Sequence, residues 1–142
     1  MVTEQKPTPT GHWERSNRSG RAGELVVGAR LVELGFELFW PVNDRPSIDV
    51  ITVWKDLAVN RVQIKTKNLP RDTQLSQEVR VGGTDAKKYD FLIAYLVTQT
   101  AFYVLPADQI KTKMNILFYP NGKTTKVEND YESYRDAWHL LK

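Results

Sequence analysis

Three polar side chains, Asp49, Gln63 and Lys65, stand where a β-hairpin would bring them onto one face of a sheet. Asp49 and Gln63 are symmetric about Asp56, so a hairpin that turns at Asp56 places them opposite each other. Lys65 lies two residues beyond Gln63 and projects from the same face. A carboxylate, an amide oxygen and an ammonium together suit a site for a hard divalent cation and a phosphate, because Mg²⁺ takes oxygen ligands and completes its shell with water and phosphate.

Such a group of side chains has a use in phosphodiester chemistry. A bound divalent cation polarises a phosphate and lowers the pKa of a coordinated water. Asp49 would supply a carboxylate oxygen and Gln63 a neutral carbonyl oxygen. Lys65 could orient the nucleophile or stabilise charge that develops on the phosphate. Glu24 is a fourth candidate, because a helix packed on the sheet could bring its carboxylate to the cation or to a cation-bound water.

Each of these side chains also has an ordinary structural interpretation. Surface ion pairs are common and are worth only about 0–1 kcal/mol, and lysines on strands are often simply solvated, as Lys65 and Lys67 could be. The ion pairs to weigh are Asp49 with Arg45 or Arg61, and Glu24 with Arg21. The joint placement of the four candidates nevertheless favours a metal-dependent phosphodiesterase site.

A helix followed by three strands must position these residues. Apolar residues at helical spacing predict a helix over residues 19–34, and Gly35 is placed to cap it. Its expected buried stripe is Ala22, Leu25, Val26, Ala29 and Val32. The predicted strands are 36–41, 48–54 and 61–67, the last two joined by a hairpin loop at 55–58.

The second half of the chain predicts more strands and two helices. Residues 68–83 are predicted to be a long polar connection, which is either functional or mobile. Further along come a short helix at 84–88, a strand pair at 91–97 and 101–105, a short helix opened by Pro106, an Asn-Gly hairpin joining 116–119 to 124–127, and a last helix from 129 with Tyr131, Tyr134, Trp138 and Leu141 on one face.

The order of these elements predicts an α/β fold, a mixed β-sheet flanked by helices. A chain of 142 residues favours one domain, which we place at residues 17–142 after a flexible N-terminal tail at 1–16.

The absence of cysteine excludes disulfides, thiolate zinc sites and cysteine nucleophiles. Neither a secretory signal nor a membrane-spanning run is visible, so we expect a cytoplasmic protein without a membrane partner.

The charge of the chain permits a nucleic-acid partner without requiring one. The formal net charge is +3, and basic residues occur on both sides of the candidate site in the sequence. Basic side chains of this kind contact phosphates and contribute affinity without sequence specificity. The candidate nucleic-acid-binding residues are Arg18, Arg21, Lys67, Arg71, Lys87 and Lys88.

Four short segments resemble the PD-(D/E)XK nuclease superfamily, to which restriction endonucleases and archaeal Holliday-junction resolvases belong. The segments are Ala22-Gly23-Glu24, Gly35-Phe36, Ser47-Ile48-Asp49-Val50 and Val62-Gln63-Ile64-Lys65-Thr66-Lys67. The Q-x-K form of the last segment is similar to small stand-alone members and intron-homing enzymes. The resemblance covers roughly residues 18–110, since Tyr89-Asp90-Phe91 and Phe102-Tyr103-Val104-Leu105-Pro106 resemble the later part of those small members.

The resemblance implies a restriction-endonuclease-like fold with an αβββαβ core. It also implies that Asp49 is the invariant acid, Gln63 occupies the second acid position, Lys65 is the catalytic lysine and Glu24 is the acid of the first helix. The implied activity is a Mg²⁺-dependent DNA endonuclease, with Mn²⁺ able to substitute. A homodimer is expected, because duplex cleavage needs two sites. The alternative is a catalytically inactive nuclease-fold protein that binds nucleic acid or a protein partner, because Gln63 removes one negative charge from the site.

Overall fold

A five-stranded mixed sheet carries the candidate residues. The structure, a computed structural model, describes residues 12–43, 47–68, 76–82, 88–121 and 131–142. Within those ranges it contains one α-helix, α1 (His12–Glu33), and seven strands: β1 (Glu37–Phe39), β2 (Val50–Trp54), β3 (Ala58–Lys67), β4 (Gln77–Arg80), β5 (Phe91–Leu96), β6 (Ala101–Pro106) and β7 (Asn115–Phe118). The large sheet has the order β1-β2-β3-β5-β6, and β4 pairs with β7 in a separate two-stranded sheet. The predicted mixed α/β class is therefore confirmed.

The hairpin of β2 and β3 has the register that the sequence predicts. The two strands are antiparallel with Val50 paired to Val62, which puts Asp49 opposite Gln63. Lys55 and Asp56 adopt positive φ angles of 48° and 59° in the turn between them. On its other side β3 runs parallel to β5, and β5 continues into the predicted antiparallel pair with β6.

The two faces of the large sheet are covered by different layers. On one face, Val27 and Leu31 of α1 belong to the same buried cluster as Val62 and Ile64 of β3, together with Trp138 near the C-terminus. The opposite face is covered by the small sheet, and the buried side chains that meet there include Val79, Leu92, Ala94, Tyr103, Leu105, Ile116 and Phe118. Within the described residues, no helix has the length and apolarity that crossing a bilayer requires.

Helix α1 buries a different face from the one predicted. The expected stripe of Ala22, Leu25, Val26, Ala29 and Val32 is exposed, whereas the buried positions are Gly23, Val27, Gly28 and Leu31. Hydrophobicity alone gave the wrong face, because glycine adds nothing to an apolar stripe but allows a helix to lie close to a sheet. A Cβ at Gly23 would overlap Thr66 Oγ1 of β3.

The C-terminal end of α1 agrees with the prediction, but its N-terminal end does not. The helix begins at His12, so residues 12–16, which we assigned to the tail, are helical. Gly35 does cap the C-terminus, with a φ of +94°. Its N–H donates to Val32 O at 3.0 Å and the Phe36 N–H donates to Leu31 O at 3.1 Å, which is the Schellman arrangement.

The second half of the chain departs from the sequence prediction in its pairing. Strand β4 lies inside the segment predicted to be a polar connection, and it is the partner of β7. Residues 124–127, the predicted hairpin partner of residues 116–119, lie outside the described residues. So do residues 84–87 of the predicted short helix. The helix opened by Pro106 is present as a 3-10 turn, Ala107–Gln109.

The predicted C-terminal helix is absent from residues 131–142. Two 3-10 turns, Glu132–Tyr134 and Trp138–Leu141, replace it, although three of the four side chains predicted to share a face are buried. The interruption is at Arg135, which forms a β-bridge to Tyr103, and at Asp136, whose N–H donates to Phe102 O at 2.9 Å. The edge of β6 therefore takes the backbone groups that a continuous helix would use itself.

We predict that Gly23→Ala destabilises the fold by about 1–3 kcal/mol, because the new Cβ overlaps Thr66 and forces α1 away from β3. Gly20→Ala is the matched control: no atom lies within 4 Å of a Cβ there, and alanine favours helix over glycine by about 0.5–1 kcal/mol. Urea denaturation of the two variants measures both effects. Equal stabilities would show that Gly23 is not required for the close contact.

Candidate active site

Asp49 lies at the point where β2 and β3 separate. Its N–H donates to Val62 O at 2.9 Å, and its carboxylate Oδ2 accepts the Ile64 N–H at 2.6 Å. The side chain thus takes the hydrogen bond that a further β2 residue would have taken. Strand β3 continues to Lys67 beyond this point, and no pairing with β2 is present past Val62. The result is a notch beside β3 in which the carboxylate is fixed.

The partly buried position of Asp49 destabilises its negative charge. Burial of the carboxyl raises its pKa above the usual value, and this effect outweighs three favourable contacts. Those contacts are the hydrogen bond from the Ile64 N–H and the nearby positive charges of Lys65 and Arg21, all of which lower the pKa. Because the neighbouring groups do not fully offset the cost of burying this negative charge, a cation bound beside the carboxylate would stabilise it.

Gln63 contributes an oxygen that has no partner. The residue is 8% exposed, and its Oε1 is buried and accepts no hydrogen bond from any donor among the described residues. An unsatisfied buried polar atom of this kind costs about 1–3 kcal/mol. Because Gln63 stands opposite Asp49 in the hairpin register, the orphaned carbonyl oxygen and the desolvated carboxylate belong to one location.

Lys65 and Lys67 follow on the same face of β3 as Gln63. Both are partly buried, and in the parallel ladder Lys65 pairs with Ala94 and Lys67 with Leu96. Lys65 is close enough to Asp49 to lower the pKa of that carboxyl. The hairpin therefore brings Asp49, Gln63 and Lys65 together, as their spacing predicts.

Glu24 is connected to the candidate site through its ion pair with Arg21. Its side chain, 19% exposed, accepts a 2.7 Å ion-paired hydrogen bond from Arg21 one turn earlier on α1. Arg21 in turn lies within electrostatic range of Asp49. The ordinary pairing of Glu24 with Arg21 is thus present, and the same pair stands next to the notch rather than elsewhere on the surface.

The other basic candidates are distributed unevenly. Arg18 and Lys88 are exposed, while Arg71 and Lys87 lie outside the described residues. Arg61, one of the two alternative partners considered for Asp49, instead binds Asp90, and its hydrogen bonds lower the pKa of that carboxyl. The other, Arg45, lies outside the described residues. The Arg61–Asp90 pair lines a cavity of about 490 Å³, but neither Asp49 nor Gln63 nor Lys65 does.

The residues of the notch fit a magnesium-like ion. Among the described residues, no three His, Asp or Glu side chains gather into a metal site, so a cation here would have few protein ligands. Mg²⁺ is commonly held in this way, by one or two carboxylates with water and substrate phosphate. The unpaired buried Oε1 of Gln63 beside the Asp49 carboxylate gives the hard oxygen donors that such an ion prefers.

Gln77 is a buried polar residue that sequence reasoning missed. It opens β4, is 1% exposed, and neither atom of its side-chain amide has a hydrogen-bond partner among the described residues. Gln77 and Val79 lie on the same face of β4, and Val79 packs on the sheet face that also carries Gln63 and Lys65. The only sequence signal was the alternation in residues 77–80, which is too short and too polar to indicate a strand by itself.

Comparison with known proteins places the chain among nucleases. A family model described as PD-(D/E)XK endonuclease matches residues 15–141. The structure is similar to a bacterial homing endonuclease, I-Ssp6803I, with a TM-score of 0.73 and 25% sequence identity over 87% of this chain and 88% of the other. Similarity to the Holliday junction resolvase Hjc of Archaeoglobus fulgidus is weaker, with a TM-score of 0.49 and 14% identity over 73% and 89% of the two chains. No curated protein sequence matches the chain.

We predict that Asp49→Asn raises the free energy of unfolding in EDTA at pH 7. The folded-state pKa of Asp49 is raised, so its contribution to stability is complete below the unfolded-state pKa and is lost as pH rises through the folded-state pKa. Asparagine removes the desolvated charge and keeps an oxygen for the Ile64 N–H. The advantage of the variant should therefore shrink as pH falls toward 4.

Urea denaturation at several pH values measures this difference. Asp108→Asn, at an exposed position, is the matched control. A variant that is less stable than wild type at pH 7 without metal would contradict the raised pKa of Asp49.

Proposed function

The chain belongs to the PD-(D/E)XK endonuclease family, and on that premise we propose that it hydrolyses DNA phosphodiester bonds at Asp49, Gln63 and Lys65. The observation that carries the proposal is the notch beside β3. There a partly buried carboxylate, held by the Ile64 N–H, stands opposite a buried carbonyl oxygen without a partner, with Lys65 nearby. The similarity to a homing endonuclease supports DNA as the substrate.

Members of this family generally use divalent metal ions, and we propose Mg²⁺, with Mn²⁺ able to substitute, held by Asp49 and Gln63. When bound, the ion would polarise the scissile phosphate and lower the pKa of a coordinated water. Asp49 contributes its negative charge, and the Ile64 N–H fixes the orientation of its carboxylate. Gln63 contributes a neutral oxygen from the facing strand, already desolvated before any ligand arrives.

Lys65 and the Arg21–Glu24 pair complete the proposed machinery. Lys65, on the same face as Gln63, donates hydrogen bonds to a phosphate oxygen and so stabilises negative charge that develops there. Glu24 orients Arg21 through their ion pair, and we propose its carboxylate as the second acid of the site. Arg21 lies within electrostatic range of Asp49, and we propose that it contacts the DNA phosphate there.

We further propose that the remaining basic candidates bind the DNA backbone, and that the protein acts as a homodimer. Phosphate contacts contribute affinity, and two sites are needed to cut both strands. The proposed contacts are Arg18, Lys67 and Lys88, with Arg71 and Lys87 in the parts of the chain outside the described residues.

One observation favours the alternative of an inactive nuclease fold that binds nucleic acid or a protein partner. Gln63 is neutral, and no third acidic or histidine ligand stands with Asp49 and Glu24 in the part of the chain that the structure describes. A weaker negative charge lowers the affinity for a cation. The two functions differ in a single observable, which is metal-dependent strand cleavage.

We predict that wild type nicks supercoiled plasmid or branched DNA in Mg²⁺ or Mn²⁺ but not in EDTA. Asp49→Asn and Lys65→Ala should each lower the rate by at least about 100-fold, because each removes a charge that acts on the reacting phosphate. Lys111→Ala, at an exposed lysine away from the notch, should cut at the wild-type rate. If wild type leaves every substrate intact with either metal, the proposed nuclease activity fails for those substrates; if both variants cut normally, the assigned residues are wrong.

We predict that Gln63→Glu lowers the Mg²⁺ concentration that gives half-maximal cleavage, because a second carboxylate strengthens attraction for the ion. A metal titration of the cleavage rate measures the shift. Gln109→Glu, an exposed glutamine changed in the same way, is the control and should leave the midpoint in place. A higher midpoint in Gln63→Glu would mean that Gln63 is not a metal ligand.

A further inference from the structure

The outer face of α1 carries an apolar stripe that nothing in the described chain covers. Ala22, Leu25, Ala29 and Val32 are all exposed, Leu25 by 62% and Val32 by 58%. Their alternating separations of three and four residues are those of a helix–helix seam. Exposed apolar surface that is contiguous in this way is typical of a binding interface rather than of a solvated helix.

The apolar surface extends from the helix to the end of β1. The Trp40 ring lies across Gly28, 2.8 Å from where a Cβ would be, and the residue is 42% exposed. Gly28 is three residues from Leu25 and four from Val32, so the ring flanks the stripe. Phe39 beside it is 56% exposed. Stable interfaces bury about 800 Å² on each partner, and the extension brings the surface closer to that size than one helix stripe could.

We propose that this surface, the outer seam of Ala22, Leu25, Ala29, Val32 and Trp40, binds a second copy of the chain with the two α1 helices antiparallel. The midpoint between Leu25 and Ala29 coincides with the midpoint between Ala22 and Val32, so both pairs share one centre along the helix. An antiparallel two-fold pair therefore places each large side chain of one copy against an alanine of the other. Large against small is the arrangement in which facing layers interdigitate.

The charges next to the seam favour the same occupant and direction. Arg18 continues the seam spacing at the N-terminal end, while Glu37 and Glu33, the latter also paired with Arg30 of its own helix, stand at the C-terminal end, and all three are exposed. An antiparallel partner brings Arg18 near these acids of the other copy. A parallel partner would bring Arg18 against Arg18. A surface that is complementary to itself under a two-fold rotation is suited to a homodimer.

The outer seam gives the interface of the homodimer proposed above and rests on that proposal. A mass measurement tests assembly without any DNA, so its failure is separate from failure of the proposed nuclease activity. We expect wild type to sediment at twice the chain mass of 16.4 kDa. Leu25→Lys should sediment at the single-chain mass. The matched control is Val59→Lys on β3, since Val59 is also 62% exposed, and it should remain dimeric.

Both positions are exposed, so neither lysine should disturb folding, which circular dichroism checks. A wild type that stays monomeric at its highest soluble concentration overturns the proposal. So does a Leu25→Lys variant that remains dimeric, or a Val59→Lys variant that dissociates.

A cross-linking experiment tests the helix direction. The chain has no cysteine, so single cysteines can be introduced without background. When Leu25→Cys and Ala29→Cys proteins are mixed, exchanged and oxidised, the antiparallel pair predicts mainly the mixed disulfide between the two variants. Predominant Leu25→Cys homodimers would indicate parallel helices and would overturn the proposed geometry.

Discussion

The hydrogen bond from the Ile64 N–H to the Asp49 carboxylate is the contact on which the candidate site depends. It ends the β2–β3 ladder with a side chain instead of a backbone group, and so it opens the notch and fixes the carboxylate within it. The register of the hairpin then determines everything nearby. Because Val50 pairs with Val62, Gln63 stands opposite Asp49, and Lys65 follows on the same face. A slip of one residue would exchange these polar side chains for Val62 and Ile64.

The candidate site also lowers the stability of the fold. The Asp49 carboxyl is desolvated enough to raise its pKa, and Gln63 has a buried oxygen without a partner. Polar groups in such surroundings are costly unless a ligand compensates them. Polar groups are compensated in the bidentate contact of Arg61 with Asp90 and at the capped end of α1. The Asp49 carboxyl and the unpartnered Gln63 oxygen meet at one notch, and perturbed groups that meet in this way are typical of a functional site.

Close contact between α1 and the sheet connects the site to the rest of the molecule. Gly23 lies against Thr66 of β3, and α1 carries Arg21, which is within electrostatic range of Asp49 and is paired with Glu24. The same orientation turns Leu25 and Val32 outward. One helix can therefore serve the site with its glycine-containing inner face and its neighbouring charges, and offer its apolar outer face to another molecule.

The sequence by itself determined what is local. The symmetry of Asp49 and Gln63 about Asp56 predicted the hairpin register, Gly35 predicted the end of α1, and the short segments around Glu24, Asp49 and Lys65 indicated the nuclease family. These features depend on residues that are close in the chain or on residue types with a fixed backbone preference. Only the tertiary structure decided which face of α1 is buried, because the decisive residue is a glycine whose role appears when Thr66 lies against it. The pairing of β4 with β7 and the interruption of the last helix at Arg135 were likewise decided by partners far away in sequence. Long-range backbone pairing of this kind overrides the weak local preferences of short polar segments.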